Sequence, residues 1–484
     1  MNIMFLHFSG PASVIPKVVS SRIANSKAHI IADEMTSHLQ SFENVMFTRD
    51  CSLGDFLDIQ NYQDIPLDAE FLKEMSSCES MTLKMMDRYQ HSRRLVFYEE
   101  RINLYHKQLS YWLNYLSKEN IKICVFQTIP HVIHDYIIYC LCKKLGIQTI
   151  MFHRTPVMLN QNVSLYSLED IDRHISDLGQ SYQSYFRDGK DFVLGNEILS
   201  YLQLTNGNDG KTFSGIVMKN AISKKYLIPS NYINFFQYKR DQFKAWFLLW
   251  GNPVDLLLKF LFKKFAKKTN IDKVHQSINL KLPFIFVSLH YQPECSTSPM
   301  GGFFVHQDLM LDILMRSIPE NIKIYVKAHP RDGYSKSFTE RVRYDERTFF
   351  LDPNMNSFDL IKNSIAVATV TGTAGWEGFL NKKPILMFGD YFYKDAPCVY
   401  RVNNVLNCKD AFQQIQAGKS EISDEMINSF LKALEDNTFS GWVDNRYAEN
   451  SFLSQTENFN NLADIISKKI NSEVMNSSQN MDQS

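Results

Sequence analysis

The chain has 484 residues, enough for about two or three domains, and its 44% hydrophobic and 21% charged residues are typical of a globular protein. Its 52 basic and 52 acidic residues cancel, which excludes a general electrostatic attraction to nucleic acid. The eight cysteines are scattered without a CxxC pair, which argues against a zinc site and a disulfide framework and favours a reducing cytoplasm.

The first predicted domain covers residues 1–160 and has an α/β pattern. Residues 1–8 are apolar but lack a basic flank and a long apolar core, so they predict a buried strand and not a signal peptide. A β-branched segment at 121–128, a helical segment at 135–145 and a second strand at 148–152 predict a right-handed βαβ unit.

Polar side chains lie around the strand ends of this βαβ unit. The carboxyl ends of parallel strands face a common crevice, so these side chains are candidate site residues. Helix capping by Asp135 and ordinary loop positions for the histidines explain them equally well. The candidates are His131, Asp135, His153 and Arg154.

A polar stretch at 161–274 predicts a helical insertion and linker. Within it, residues 243–268 combine aromatic and aliphatic side chains with six lysines, and Asn252-Pro253 divides them in two. This segment is compatible with an interfacial helix on the inner face of the plasma membrane or with a helix that packs between domains. No apolar run in the chain approaches the roughly 20 residues of a spanning helix.

The second predicted α/β domain covers residues 275–422 and contains a strand that ends in basic side chains. The strand at 322–326 is followed by Lys327, His329 and Arg331, while Pro330 stops further strand pairing. Three potential cations therefore cluster at one strand terminus, where they favour an anionic ligand.

A second motif in this domain is a strand that leads into a glycine-rich turn and a helix. The apolar run 365–370 feeds Thr371-Gly372-Thr373-Ala374-Gly375, and a helical pattern begins near Trp376. Small residues let a phosphate approach the backbone closely. Unpaired N–H groups at a helix start attract that anion, and the Thr371 and Thr373 hydroxyls add donors. Glu377, one turn into the helix, is placed to accept hydrogen bonds from ribose hydroxyls.

These segments resemble the C-terminal half of the bacterial capsular polysaccharide synthesis proteins, the group that includes Kdo transferases. The resemblance rests on Lys327-Ala328-His329-Pro330, on Thr371 to Glu377, and on Lys383-Pro384 through Phe388-Gly389. It implies a GT-B architecture, in which two Rossmann-like domains with a cleft between them bind a nucleotide-sugar, with no metal and no further cofactor. The chain lacks the Gly-Leu-Thr ending of long Kdo transferases after Gly389, so the donor sugar stays open.

The resemblance also implies roles for individual residues. His329 corresponds to the histidine that contacts the phosphate of a CMP-sugar in bacterial sialyltransferases, whose His-Pro motif is similar. A third segment, the strand 284–289 followed by His290, matches the family's Gln and acidic positions with Gln292 and Glu294. Glu294 or His290 is then the candidate base for the acceptor hydroxyl. An ordinary turn carboxylate and a backbone-bonded histidine are equally compatible interpretations.

The sequence therefore predicts a cytoplasmic glycosyltransferase, peripheral to the membrane, that transfers a sugar from a nucleotide donor to a capsule or lipopolysaccharide glycan. A CMP-linked sugar is the candidate donor. In this architecture the first domain receives the acceptor, so the four polar residues of its βαβ unit become acceptor-side candidates. Three alternatives remain: a CDP-glycerol-type glycerophosphotransferase, a sugar-nucleotide epimerase, and a non-catalytic subunit of polysaccharide assembly or export. Residues 423–470 are predicted to form C-terminal helices, and 471–484 a disordered tail.

Overall fold

The computed structural model describes residues 1–8, 10–48, 65–89, 97–159, 162–175, 177–207, 274–275, 278–330, 332, 334, 338, 345–444, 447–448 and 451–481. These residues form two compact units. The first is drawn from Met1–Gln90, Arg94–Ile175 and Thr438–Ser484, and the second from Ser176–Asn437. The lysine-rich segment 243–268 and Arg331 lie outside the described residues.

Two sets of elements make up these units. The strands are β1 (Asn2–Leu6), β2 (Lys27–Ala32), β3 (Asn44–Phe47), β4 (Ile121–Phe126), β5 (Gln148–Leu159), β6 (Asn162–Leu168), β7 (Val274–His275), β8 (Phe284–Ser288), β9 (Lys323–Lys327), β10 (Thr348–Leu351), β11 (Ala366–Thr369), β12 (Ile385–Met387), β13 (Val399–Arg401) and β14 (Phe439–Ser440). The α-helices are α1 (Val14–Arg22), α2 (Ala69–Glu74), α3 (Ser76–Met85), α4 (Tyr98–Lys118), α5 (Ile133–Leu145), α6 (Leu178–Phe186), α7 (Asn196–Gly207), α8 (Gln307–Ser317), α9 (Ser357–Asn363), α10 (Thr373–Leu380), α11 (Val405–Gln416), α12 (Asp424–Asp436) and α13 (Gln455–Met481).

The first unit is built on a mixed sheet with the order β14-β6-β5-β4-β1-β2-β3. Strands β1 to β5 pair in parallel, whereas β6 and β14 are antiparallel additions at one edge. The parallel strands follow the order 3-2-1-4-5, which reverses direction between β1 and β4. The predicted βαβ unit is present as β4, α5 and β5, and Gly146 ends α5 in the left-handed conformation (φ 67°) that glycine adopts without steric cost.

The second unit is built on a fully parallel sheet with the order β13-β12-β11-β8-β9-β10-β7. Its strands are short apolar runs, and Ile285, Phe286 and Val287 in β8 are completely buried, as expected when helices cover both faces. When β7 is left out and β8 to β13 are numbered 1 to 6, the strand order is 3-2-1-4-5-6. The order therefore reverses between β8 and β11. Both units are therefore Rossmann-type, and the predicted α/β fold class with two such domains is confirmed.

Helices cover both faces of the second sheet and pack on them in different ways. On one face, Leu311 and Leu314 of α8 and Phe412 of α11 pack in one core with the strands. On the other face, α10 approaches β11 and β12 closely because Gly378 has no side chain. A Cβ atom there would lie 2.7 Å from Ile385 Cδ1 and 3.0 Å from Val367 Cγ2, so any larger residue would force these side chains to move.

An aromatic cluster around Trp376 of α10 joins the helices of the second unit. The Trp376 ring lies 5.1 Å from Phe392 and 6.2 Å from Phe430 of α12, measured between ring centroids. Its Nε1–H donates to Tyr201 Oη of α7 at 2.9 Å, so the buried indole is satisfied. The predicted helical segment before residue 208 is thus packed into the second unit.

The units differ from the predicted domain boundaries in several places. Strand β6 belongs to the first sheet, although residues from 161 onward were expected to form a helical insertion. The predicted C-terminal helical segment 423–470 is divided between the units, since α12 belongs to the second and α13 to the first. Helix α13 continues to Met481, where a disordered tail was expected from residue 471.

None of the helices in the described part of the chain combines the length and apolar content that crossing a membrane requires.

Candidate functional site

The candidate site lies at the carboxyl end of the second sheet, where the strand order reverses. Ser288 pairs with Lys327 on one side and with Thr369 on the other, so β8, β9 and β11 end at the same level. Open parallel sheets bind ligands at this crevice, because diverging loops and helix starts leave room there. The loops after these three strands carry the predicted motif residues.

His290 connects the loops after β8 and β11. Its Nε2 accepts a hydrogen bond from the Thr371 N–H at 3.1 Å and lies 3.2 Å from Thr369 Oγ1. Gln307 holds the His290 backbone, since its Oε1 accepts from the His290 N–H at 2.7 Å. Burial, and then the nearby His329, lower the pKa of His290 to about 4. The ring is therefore neutral at neutral pH, with its Nε2 lone pair already in use.

Thr371 and Gly372 shape the turn from inside. Thr371 is only 3% exposed, and its hydroxyl donates to the Ser296 carbonyl at 2.5 Å. The Gly372 N–H donates to Thr369 Oγ1 at 3.2 Å. Two of the predicted phosphate donors, the Thr371 hydroxyl and the Gly372 N–H, are thus engaged within the protein, where they fix the loop.

Helix α10 begins at Thr373, three residues before the predicted start, because Gly372 has the extended conformation of an N-cap residue. Gly375 packs inward, where a Cβ atom would overlap with Tyr393 Oη, and its N–H donates to the Gly372 carbonyl at 3.1 Å. Thr373 is exposed in the first turn. Thr373, rather than Thr371 or Gly375, is therefore available to a ligand at this helix start.

Lys327 and Glu377 form the charged part of the crevice. Lys327 is 9% exposed, and its Nζ donates to Ser357 Oγ of α9 at 2.7 Å. Burial lowers its pKa, against the opposing effect of the Glu377 and Asp352 carboxylates. Burial raises the pKa of Glu377 to about 7, although the Lys327 charge counteracts this shift. Each group thus shifts the other, and Glu377 exchanges its proton near neutral pH.

His329 follows β9 and lies beside Tyr291, with 5.6 Å between the ring centroids. Its carbonyl accepts from the Asp332 N–H at 3.0 Å, which closes the turn. The charge of His329 also lowers the pKa of His290, so the two rings are close enough to interact electrostatically. The third predicted cation of this motif, Arg331, is outside the described residues.

The family-derived residues of the β8 loop have different surroundings. The Gln292 side-chain amide donates to the Val305 carbonyl. The backbone N–H of Gln292 donates to Asp332 Oδ2 at 3.3 Å. Glu294 is exposed, and its carbonyl accepts from the Ser298 N–H at 2.8 Å. Gln292 thus holds the loop, whereas the carboxylate of Glu294 lies at the surface.

The predicted acceptor-side residues lie in the first unit. Asp135 caps α5, and its Oδ1 accepts from the Val132 N–H at 2.8 Å. The His131 ring is hydrogen-bonded through Nδ1 to the Ile129 carbonyl at 2.7 Å, and the Arg154 guanidinium lies 5.1 Å from the centroid of Tyr447.

His153 packs edge-to-face against Tyr166, with 5.8 Å between centroids. Burial, and then His174, Arg154 and His131, lower its pKa well below the ordinary value. The four acceptor-side candidates therefore lie in one neighbourhood of the first unit.

Two residues of functional interest were missed from sequence. Ser357, which accepts the Lys327 hydrogen bond, follows the N-cap Asn356, and its contact depends on the adjacency of β9 and β10. His7 directly follows β1 and contacts Asp135. Its position, as a polar residue at the end of a buried strand, could have marked it as a candidate in the sequence.

Among the described residues, His, Cys, Asp and Glu side chains form no group of three or more with the geometry to hold a metal ion.

The protonation of Glu377 predicts a pH dependence of stability. Its pKa is about 7 in the folded protein against an ordinary value of 4.5, so folding takes up a proton between these pH values. Stability contributed by this group is greatest near and below pH 4.5 and falls as the pH rises through 7. We expect Glu377→Gln to gain stability relative to the wild type between pH 5 and pH 8, measured as denaturant midpoints.

A matched control is Glu346→Gln, because Glu346 lies in the turn before β10 and outside this crevice. Equal pH slopes for the wild type and Glu377→Gln would contradict the raised pKa.

The fold and crevice define the class of protein: a two-unit α/β protein with Rossmann-type sheets and charged groups at a strand-order reversal. Residues 234–404 match the model of the capsule polysaccharide biosynthesis protein family. The match covers both motifs of the crevice and confirms the resemblance read from them. No curated protein matches the chain in sequence.

The solved structures that the comparison finds include an epimerase and a transferase. The UDP-GlcNAc 2-epimerase of Methanocaldococcus jannaschii is 13% identical, with 90% of this chain and 99% of that chain covered and a TM-score of 0.27. KpsC of Thermosulfurimonas dismutans, a β-Kdo 2,7-transferase, is 12% identical, with 77% and 90% covered and a TM-score of 0.32. At these TM-scores the similarity carries no argument about activity.

Proposed function

We propose that the protein is a glycosyltransferase that moves a sugar from a nucleotide-activated donor to a capsule or lipopolysaccharide glycan. One observation carries the proposal: the β8–β9–β11 crevice brings Lys327 and Glu377 together with His329 and the start of α10. These groups are complementary to a sugar ester of a nucleoside monophosphate or diphosphate. The cations and N–H groups suit the phosphate, and the carboxylate suits the ribose hydroxyls.

The cationic side of the crevice supports departure of the nucleotide. As the bond from the anomeric carbon to the phosphate oxygen breaks, negative charge accumulates on the leaving phosphate. Lys327 and His329 stabilise that charge, together with the N–H groups of Thr373 and Ala374 at the start of α10. We assign Arg331 to the same role from its place in the motif. Because side chains supply this charge, we propose that transfer needs no metal.

The other motif residues position these groups. His290 ties the β8 loop to the β11 loop through the Thr371 N–H, and its Nε2 lone pair is therefore not available to an acceptor hydroxyl. Thr371, Gly372 and Gly375 fix the turn that presents Thr373. We accordingly assign His290 a positioning role, while Glu294 at the surface of the β8 loop remains a candidate contact for the donor sugar or the acceptor.

The proposal is tested by thermal unfolding of the full-length protein with CMP, CDP, UDP and GDP and with their sugar conjugates, with and without EDTA. A ligand at about 100 times its Kd that binds only the folded form stabilises by about 2.7 kcal/mol, so the binding nucleotide raises Tm by several degrees. We expect stabilisation by a cytidine nucleotide, unaffected by EDTA and reduced in His329→Ala.

The matched control is His306→Ala, because His306 is exposed in the same unit and its side chain makes no capping hydrogen bond to α8. It should retain the full shift. Stabilisation by UDP alone would move the assignment to a hexose donor or to epimerase chemistry, which needs no acceptor. Absence of any shift would contradict the transferase and favour a non-catalytic assembly subunit.

A further inference from the structure

The side chain of Lys327 leaves the end of β9 at a point where the backbone is already fixed. Tyr334 bridges the ends of β9 and β10, since its hydroxyl lies 2.7 Å from the Val326 carbonyl and 2.8 Å from the Leu351 carbonyl. The same hydroxyl accepts a hydrogen bond from the Ala328 N–H at 3.0 Å. The backbone on both sides of Lys327 is therefore held, and only the direction of its long, flexible side chain remains to be set.

Ser357 supplies the contact that sets this direction. It is the first residue of α9, and its Oγ accepts a hydrogen bond from Lys327 Nζ at 2.7 Å. Because Lys327 is buried, this hydrogen bond lies in surroundings that contain little water, where it is stronger than at the surface. Within the described part of the chain, no other group accepts a hydrogen bond from this ammonium. The position of the cation therefore depends on one hydroxyl of α9.

A hydroxyl orients an ammonium without cancelling its charge. Burial lowers the pKa of Lys327, and the carboxylates of Glu377 and Asp352 raise it. Asp352 is engaged in the turn after β10, where its Oδ1 accepts from the Asn354 N–H at 2.8 Å and from Asn354 Nδ2 at 3.1 Å. Burial raises the pKa of Glu377 to about 7, so this group is only partly ionised at neutral pH. The partner that holds the ammonium is thus neutral, and the positive charge stays available to an anion.

We propose that Ser357 is a positioning residue, which directs the Lys327 ammonium at the phosphate of the bound nucleotide. This inference rests on the proposed function, which places the nucleotide at the end of the second sheet. An ammonium has three N–H donors, of which Ser357 takes one, so the others can be donated to phosphate oxygens. Because the contact belongs to the folded unit, the cation is in place before the phosphate arrives. Binding then does not have to order a long side chain, which favours affinity.

The first measurement is titration calorimetry of the full-length protein with CMP, CDP, UDP and GDP. Ser357→Ala is expected to weaken binding of the preferred nucleotide by about two- to tenfold, because the charge remains but its direction is no longer fixed. The variant keeps the cap of α9, since the Asn356 side chain accepts from the Phe358 N–H at 3.0 Å. Ser357→Thr, which keeps a hydroxyl at this position, should bind like the wild type.

A double-mutant cycle shows whether Ser357 acts through Lys327. In the Lys327→Met background, Ser357→Ala should have no further effect on affinity, because the ammonium that Ser357 directs has been removed. Equal losses from Ser357→Ala in the wild-type and Lys327→Met backgrounds would overturn the proposal, since they would indicate an effect on the unit as a whole.

Ser357→Asp separates positioning of the cation from stability of the helix. A carboxylate in the first turn of a helix interacts favourably with the helix dipole, so this variant should keep the wild-type Tm or exceed it. The same carboxylate would pair with Lys327 and cancel its charge, so nucleotide affinity should fall below that of Ser357→Ala. Affinity that follows Tm across the wild type, Ser357→Ala and Ser357→Asp would overturn the proposal, because a purely structural role predicts that relation.

The matched control is Ser364→Ala, because Ser364 follows the last turn of the same helix and its Oγ donates to the Ile361 carbonyl at 2.9 Å. That end of α9 leads into the start of β11, away from the crevice, so the variant should keep wild-type affinity. Wild-type affinity in Ser357→Ala would overturn the role of Ser357 and leave the nucleotide site standing. A wild type that binds none of these nucleotides would overturn the proposed site and this inference with it.

Discussion

Replacing Lys327 by methionine is expected to weaken nucleotide binding by about ten- to hundredfold while the second unit stays folded. Hydrogen bonds to charged groups contribute about 1.5–3 kcal/mol, and each 1.4 kcal/mol corresponds to about a factor of ten in affinity. Lys327 is the buried cation at the end of β9, and methionine keeps most of its volume. Because burying a charge is costly, its removal should not destabilise the fold. Titration calorimetry with the stabilising nucleotide measures the change.

The same strand offers a matched control at its opposite end. Lys323 begins β9, and its Nζ lies 5.6 Å from the centroid of the Phe349 ring, far along the strand from the crevice. Lys323→Met should therefore bind nucleotide like the wild type. Equal affinity in Lys327→Met and the wild type would remove Lys327 from the site, and equal losses in both variants would indicate a general change in the unit.

Replacing Trp376 by alanine is expected to destabilise the second unit by about 3–5 kcal/mol, the usual loss for a large aromatic core residue. Trp376 is 1% exposed and packs against rings of α10, α12 and the loop after β12. Its removal opens a cavity and leaves Tyr201 Oη without the indole donor. Because α10 presents Thr373 and Glu377, nucleotide binding should weaken as well. Chemical unfolding followed by circular dichroism reports the stability.

Phe303→Ala serves as the control for loss of an aromatic ring, because Phe303 is 75% exposed. We expect its stability to change by less than about 0.5 kcal/mol, as for most surface substitutions. Trp376→Phe should fall between the two, since it keeps ring packing but loses the hydrogen bond. A change below about 1 kcal/mol in Trp376→Ala would show that the aromatic cluster does not hold α10 in place.

Local sequence patterns predict much of the fold because buried parallel strands are short apolar runs. The expected strands at 284–289, 322–326 and 365–370 correspond to β8, β9 and β11 within one residue at most ends. The patterns do not predict that β6 joins the first sheet or which residues the C-terminal segment contacts there. Those pairings join distant residues: the Gln127 side chain donates to the Val443 carbonyl, 316 positions later.

The candidate site is predictable in position but not in the use of each side chain. Lys327 and Glu377 follow from strand ends and helix spacing. The sequence could not show that the Thr371 hydroxyl donates to a carbonyl 75 residues away, or that His290 accepts from the Thr371 N–H. It also could not show that the His7 ring lies 3.5 Å from Asp135, which is distant along the chain.

The return of the C-terminal helix to the first sheet constrains the order in which the protein is completed on the ribosome. Ile466 and Ile470 of α13 are fully buried, and Asp464 pairs with Arg22 of α1 at 2.6 Å. The first unit therefore acquires its last structural element only after the entire second unit has been synthesised. Domains generally fold as they emerge, so the N-terminal sheet waits with an uncovered apolar surface while the later unit folds. Chaperone dependence and sensitivity to C-terminal truncation should accordingly be properties of the N-terminal unit.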